Sequence, residues 1–276
     1  NRTQITVRRL PLAAAALAII APCLDAQPAF KGTADLDAAV EEAVRKDELP
    51  GAVLVVTRQG QTVHRKAYGQ RALEPRREPM TVDTIFDIAS LTKVVATTPS
   101  IMKLVETGKL RLNDRVTVYL PEFQGGSSEV TVRNLLTHFS GLRGDVDVEE
   151  PWSGYETGIR KALVDKPVAA PGERFIYSDI NFVLLGEIVR RLSGKPLDRY
   201  AAEVVFQPLG MADTMFRPPP SLHPRIAPTE QLPGEREPLR GVVHDPTSRY
   251  MGGVAGHAGV FSTADDLARF TEMMLG

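Results

Sequence analysis

The stretch that most constrains this chain runs from Ser90 to Gly108, where Ala, Val, Leu, Ile and Met fall on nearly every side of a helical wheel. A helix that is apolar all round cannot rest on a surface and has to be wrapped by other elements. The pattern therefore predicts a domain assembled around one central helix. Pro99, in the middle of it, lacks an N–H and is expected to kink or interrupt it.

The flanking sequence says what does the wrapping. Thr33 to Glu48 places Leu36, Ala39, Val40 and Val44 at helical spacing and ends at Pro50-Gly51. Ala52 to Thr57 and Thr62 to Ala67 are β-runs around Gln59-Gly60-Gln61, which predicts a hairpin. Residues 110 to 250 hold short helical patterns, such as Val132 to Leu136 and Phe182 to Leu192, between loops rich in Pro, Gly and charge. Arg217 to Arg240, with seven prolines and no apolar periodicity, predicts an ordered surface flap. Gly259-Val-Phe261 then predicts a return to the sheet, and Thr263-Ala-Asp-Asp266 a capping-box start to an amphipathic helix carrying Leu267, Phe270 and Met274. Strands, a helical block and a return to strand describe an α+β fold, an antiparallel sheet flanked by helices with an all-helical insertion. The expected division is a sheet lobe over 27–89 and 252–276 and a helical lobe over 90–251.

Charge and cysteine usage exclude several functions. Thirty-three basic residues against 34 acidic give a formal charge of -1, and the basic residues are dispersed, so a nucleic-acid partner is not expected. One cysteine can form neither an internal disulfide nor a cysteine-built metal site, and no metal or other cofactor is expected. Arg2, Arg8 and Arg9 precede the apolar run Leu10 to Ala21, and Leu24-Asp25-Ala26 resembles a cleavage site before Gln27. Residues 1–26 are thus expected to be an export signal, too short to span a bilayer. Pro22 disfavours a lipoprotein anchor at Cys23. The mature chain, periplasmic or secreted and without stable membrane insertion, would then carry a net charge of -3 and no cysteine.

Neither G-x-S-x-G nor H-E-x-x-H occurs, which argues against α/β-hydrolase and zincin chemistry. Ser90-Leu-Thr-Lys93 places a hydroxyl and an amine three apart, on one face of a helix. A desolvated lysine can be held neutral enough to take a serine proton, and a helix N-terminus favours a developing oxyanion. The spacing alone is weak evidence, because Ser100-Ile-Met-Lys103 repeats it. Ser90 opens the helix after the extended Phe86-Asp-Ile-Ala89, whereas Ser100 lies inside it. An isolated motif of this kind is more simply an N-cap serine and a solvated lysine.

Further blocks separate these readings. Pro171-Gly-Glu-Arg-Phe-Ile-Tyr-Ser-Asp179 precedes the helix containing Leu184-Leu-Gly186. It joins Phe86 to Lys93, Gly108 to Asp114 with Tyr119 to Phe123, Leu135-Leu-Thr-His-Phe-Ser-Gly-Leu142, Pro208-Leu-Gly-Met211 and Gly252 to Leu267. In this order, over roughly residues 36 to 275, the chain resembles the serine β-lactamase and penicillin-binding protein superfamily, in its class C-like branch. The resemblance implies a β-lactamase/transpeptidase-like fold and a serine hydrolase acting through an acyl-enzyme on esters, amides or peptidoglycan D-Ala peptides. It implies Ser90 as nucleophile, Lys93 as its proton partner and Tyr177 as the tyrosine of the family's Y-x-N element. Asp179, where that element has Asn, is a substrate-binding candidate, but a carboxylate cannot donate an amide hydrogen bond to a β-lactam or peptide carbonyl. A helix cap at Ser178 and Asp179 is compatible with that role.

The histidines carry plainer expectations: His138 a structural loop role, and His244-Asp245 and His257 loop-bracing hydrogen bonds, since no third metal ligand has suitable spacing. Family members close the site with K-T-G or H-x-G on a strand. Gly256-His-Ala-Gly259 resembles the segment preceding that motif, so closing strands beyond Gly276 are expected to be missing. The alternative is that His257 stands in for the motif. The rival for function is a non-catalytic module or inactive fragment that binds cell-wall peptide in the same cleft.

Overall fold

The computed structural model describes residues 31–124 and 129–276. The expected export signal lies outside these residues. Helix α1, Thr33–Arg45, leads through Pro50 into β1, Gly51–Arg58, which pairs antiparallel with β2, Gln61–Ala72. Gln59 and Gly60 form the turn between them, both at positive φ (54° and 74°), the two-residue geometry that matches strand twist. Short β3, Glu78–Pro79, extends this sheet in the order β1-β2-β3. A second sheet, β4-β6-β5, joins β4 (Phe86–Asp87), β5 (Met215–Phe216) and β6 (Val260–Ser262), with β6 antiparallel to both neighbours. The fold is α+β, and its strands are shared between two small sheets.

The candidate central helix is less regular and less buried than its composition predicts. A 3-10 turn, Ala89–Leu91, passes into a π-helical segment, Lys93–Thr97, and then α2, Thr98–Glu106. Pro99 lies in the first turn of α2, where its missing N–H costs little, so it begins a segment rather than kinking one. Leu91, Val94 and Met102 remain about half exposed. Val94 and Met102 line an apolar groove with Val204, Phe270 and Met273.

The helix wrapped on all sides is instead α5, Asp179–Ser193. Before it come α3 (Val132–Leu136) and α4 (Tyr155–Val164). Every residue of α5 from Ile180 to Val189 is buried, including Glu187, whose carboxylate is held by Arg190 and Arg191 at 2.7 Å each and by the Tyr155 hydroxyl at 3.0 Å. Burial opposes ionisation of Glu187, but the two guanidinium groups outweigh it and hold the carboxyl below its ordinary value. Ile101, Leu104, Leu135, Leu184 and Leu185 belong to the one large core around it.

Beyond α5, α6 (Leu197–Ala201) continues into a π-helical turn, Ala202–Phe206. The flap is tied to the body: Ile226 is fully buried and bridges Ile85, with Ile85 N donating to Arg225 O at 2.9 Å and Ala227 N to Ile85 O at 2.9 Å. Its one buried isoleucine supplied no periodic signal. After α7 (Pro246–Tyr250) and β6, the chain ends in α8, Ala264–Leu275. Thr263 caps α8, but the box is not reciprocal: Asp266 instead accepts from Asp213 N and Thr214 Oγ1. The Arg65–Asp265 bidentate pair fastens α8 to β2.

Candidate active site

The site begins with a strained turn. Ile88 sits at φ -91°, ψ 9°, and Ala89 is left-handed at φ 46°, a conformation unusual for a residue with a Cβ. Asp87 holds it in place, accepting from Ala89 N at 2.9 Å through one oxygen and from His244 N at 2.8 Å through the other. The result is an exposed Ser90 in the first turn of a long helical run, with Lys93 buried one turn later at 3% exposure. The Lys93 ammonium, Nζ, lies 3.1 Å from Ser90 Oγ.

Two acceptors hold the amine from other elements. Asp179, the first residue of α5, pairs with Nζ at 2.6 Å, and the His257 carbonyl accepts from Nζ at 3.1 Å. Ser178 is the N-cap of α5, its side chain accepting from Asn181 N, so capping and a role in the site fall on adjacent residues. Asp179 N donates to Gly144 O at 2.6 Å. The loop carrying His257 approaches α5 so closely that a Cβ on Gly256 would lie 1.9 Å from Phe182 O; only glycine fits there.

The Tyr177 ring lies 4.9 Å from Lys93 Nζ, a cation–π contact, and is about half exposed. The structure gives its hydroxyl no hydrogen bond to Ser90 or Lys93. His138 backs the ring, stacked at 4.6 Å, and its Nδ1 accepts from Ser178 N at 3.0 Å. Burial, reinforced by the Lys93 charge, pushes the His138 imidazole down, so it stands there as a neutral acceptor. Its expected structural role thus takes a specific form, which is to fix the Tyr177-Ser178 corner.

Ser90, Lys93 and Asp179 therefore converge directly, with Tyr177 over the amine. His257 is buried with Nε2 2.8 Å from Asp245 Oδ1, a bracing bond; its side chain does not occupy a strand facing the serine. Sequence reasoning missed Asp87, whose bond two residues on is a known aspartate turn preference, and Thr97, which donates to Gly256 O at 2.7 Å. It also missed the His257 carbonyl, since a backbone contact across 164 residues leaves no side-chain signature. Among the described residues no group of three or more His, Cys, Asp and Glu is placed to hold a metal ion, and no helix is long and apolar enough to cross a membrane.

A family model described as Beta-lactamase matches residues 36–276. The chain belongs to this family. Similar to this β-lactamase-family chain are an N-acetylmuramyl-L-alanine amidase of Bacillus subtilis (strain 168), 34% identical over 86% of this chain and 62% of its own length, and a putative D-alanyl-D-alanine carboxypeptidase of Escherichia coli (strain K12), 33% identical over 82% and 60%. The octameric penicillin-binding protein homologue of Pyrococcus abyssi superposes with a TM-score of 0.72 at 31% identity, covering 87% of this chain and 55% of that one. The family chain thus spans about 60% of the length of the curated relatives it matches.

Proposed function

We propose that this protein is an exported serine hydrolase that works through a Ser90 acyl-enzyme, with cell-wall peptides carrying D-Ala or amide bonds as its substrate class and simple esters as surrogates. The observation that carries this reading is the exposed Ser90 Oγ 3.1 Å from the amine of a lysine that is 3% exposed. A lysine is seldom buried unless it is paired, and here the pairing with Asp179 keeps the amine beside the serine hydroxyl. The muramyl-amide and D-Ala-peptide activities named for relatives support the substrate class.

The chemistry follows from the contacts. In its neutral form Lys93 takes the Ser90 proton as Oγ bonds to the substrate carbonyl carbon, and the resulting ammonium is the species that Asp179 and the His257 carbonyl hold. As the tetrahedral intermediate collapses, the leaving amine or alcohol takes a proton through Tyr177. Water then attacks the acyl carbon and releases the acid. With a carboxylate at 179 paired with Lys93, an amide carbonyl finds no amide donor there, whether in a β-lactam or in a peptide, so simple esters, which acylate more readily, are expected to acylate Ser90 faster than penicillins.

Intact-mass and peptide-mapping spectrometry after incubation with a fluorophosphonate tests the proposal. A single adduct on Ser90, absent in Ser90→Ala, is expected. No adduct on Ser90 overturns the hydrolase reading and favours the non-catalytic peptide-binding module.

A further inference from the structure

Next to Lys93 is a pair, a buried histidine and a partly buried aspartate, that the proposed chemistry does not use. The His257 side chain is 1% exposed, with Nε2 2.8 Å from Asp245 Oδ1, and its Nδ1 has no hydrogen-bond partner among the described residues. The carbonyl of this same residue receives Lys93 Nζ. Its neighbours are engaged in the same manner: Gly256 O accepts from Thr97 Oγ1 at 2.7 Å, and Ala258 O from Ser248 Oγ at 2.9 Å. Three consecutive carbonyls are thus taken by three buried side-chain donors, and the only side chain holding this strip from its own side is His257. Asp245, its partner, also accepts from Ser248 N at 2.7 Å, so one carboxylate oxygen ties His257 to the start of α7.

The geometry matters because of what Lys93 has to do. A neutral amine has two N–H bonds and one lone pair. In the charged form Nζ donates to the His257 carbonyl and to Ser90 Oγ and lies 2.6 Å from the Asp179 carboxylate. In the neutral form the carbonyl and the carboxylate, which can only accept, favour the orientation that turns both N–H bonds toward them and the lone pair toward Ser90 Oγ. If the His257 carbonyl swings away, one N–H is freed to turn toward the serine and the amine becomes a donor where an acceptor is needed.

We infer that His257 and Asp245 are positioning residues for the proposed Ser90–Lys93 chemistry: their hydrogen bond fixes the His257 carbonyl that aims the Lys93 lone pair, and Asp245 adds a negative charge near the amine. This rests on the hydrolase reading and names its support. The charged and titratable groups facing Lys93 are Asp179 and Tyr177 at the start of α5, His138 from the preceding loop and Asp245 at α7, with Asp145 facing His257. Thr247 Oγ1 donates to Asp145 at 2.8 Å, linking the two loops. Burial alone would raise Asp245, but the bond and charge of His257 outweigh it and hold the carboxyl below its ordinary value. It is therefore ionised at neutral pH.

The experiment measures fluorophosphonate labelling of Ser90 and ester turnover against pH for the wild type and for His257→Ala, His257→Gln and Asp245→Asn. His257→Ala is expected to slow labelling and kcat about 10- to 100-fold with KM little changed. His257→Gln, whose amide can still donate to Asp245, is expected to recover most of that loss. Asp245→Asn keeps the cap on α7 but removes a negative charge near Lys93, so the acid limb of the rate is expected to move about half a pH unit toward lower pH. Bracing alone would lower the melting temperature and leave that limb in place. Should His257→Ala fail to fold by circular dichroism, the glutamine and asparagine variants decide. Wild-type labelling rates and an unmoved acid limb in the folded variants overturn the inference while leaving Ser90 as nucleophile. A wild type that does not label at Ser90 overturns the hydrolase reading and this inference with it.

Discussion

The chain presents the Ser-x-x-Lys spacing twice on one helical run, and the two copies are folded with opposite exposure. At the first, Ser90 is exposed and Lys93 buried; at the second, Ser100 is fully buried and Lys103 is exposed. Ser100 Oγ donates back to Ala96 O at 2.7 Å, an ordinary way for a buried helical serine to satisfy itself, and Lys103 pairs with Glu106 one turn on at 2.6 Å. Ser90 has no such back-bond because it stands in the first turn, and Lys93 has no solvent to reach. A three-residue spacing is therefore a statement about angle alone. Which of the two groups meets water, and which meets α5 and the 256–258 strip, decides whether the pair can exchange a proton.

The largest expected effect tests that contrast directly. Ser90→Ala should reduce ester turnover by about 10³-fold or more, while Ser100→Ala leaves it within about two-fold and shifts stability by about 1 kcal/mol, as judged by urea denaturation. Comparable losses from both would collapse the distinction. Next, Lys93→Met should slow Ser90 labelling by about 10²-fold or more, whereas Lys103→Met should leave the labelling rate unchanged. A smaller effect comes from the turn that presents Ser90. Ala89→Gly is expected to stabilise the fold by about 0.5–1 kcal/mol by relieving the left-handed strain, and to slow labelling several-fold because the serine is less fixed. A slower rate without a gain in stability would mean that the strain is not where the backbone angles put it.

The smallest effect concerns His138, which supports the first copy through Tyr177 and has no counterpart at the second. Its imidazole is pushed below its ordinary value in the folded state, so the neutral form is the one the fold favours. The stability it contributes is complete above the unfolded-state value of about 6.5 and is lost as pH falls from there through the folded-state value. Urea midpoints at pH 7.5 and 5.5 should therefore differ by less in His138→Gln than in the wild type.

Much of this was legible beforehand. Gln59-Gly60 announced its hairpin because a two-residue turn needs positive φ, and Pro171 to Asp179 stood out because its residues are contiguous. The central helix was misplaced for an instructive reason. Residues 90–108 spread their apolar residues over nearly every side of a wheel, but α5 carries as many in a shorter stretch and also buries Asn181 and Glu187 by giving each a partner, Ser140 Oγ at 2.6 Å for one and the two arginines for the other. The apolar Val94 and Met102 read as core by composition but line an open groove. The Lys93–Asp179 pair was invisible for a related reason. The residue type at 179 says only what it cannot donate to a substrate, and the fold alone turns the Asp179 carboxylate toward the amine.

The reach of the contact between Lys93 and the His257 carbonyl also has a consequence for biosynthesis. The acceptor is made 164 residues after the lysine, and β6, which follows it, must slot between β4 and β5. At ordinary elongation rates that interval is on the order of ten to thirty seconds. Throughout it, a nascent chain already has its serine and its lysine but not the strip that orders them. Assembly of the Lys93 contacts is therefore tied to late, long-range closure of the polypeptide, and under the proposed chemistry an emerging chain would carry no oriented Ser90–Lys93 pair until that closure is made.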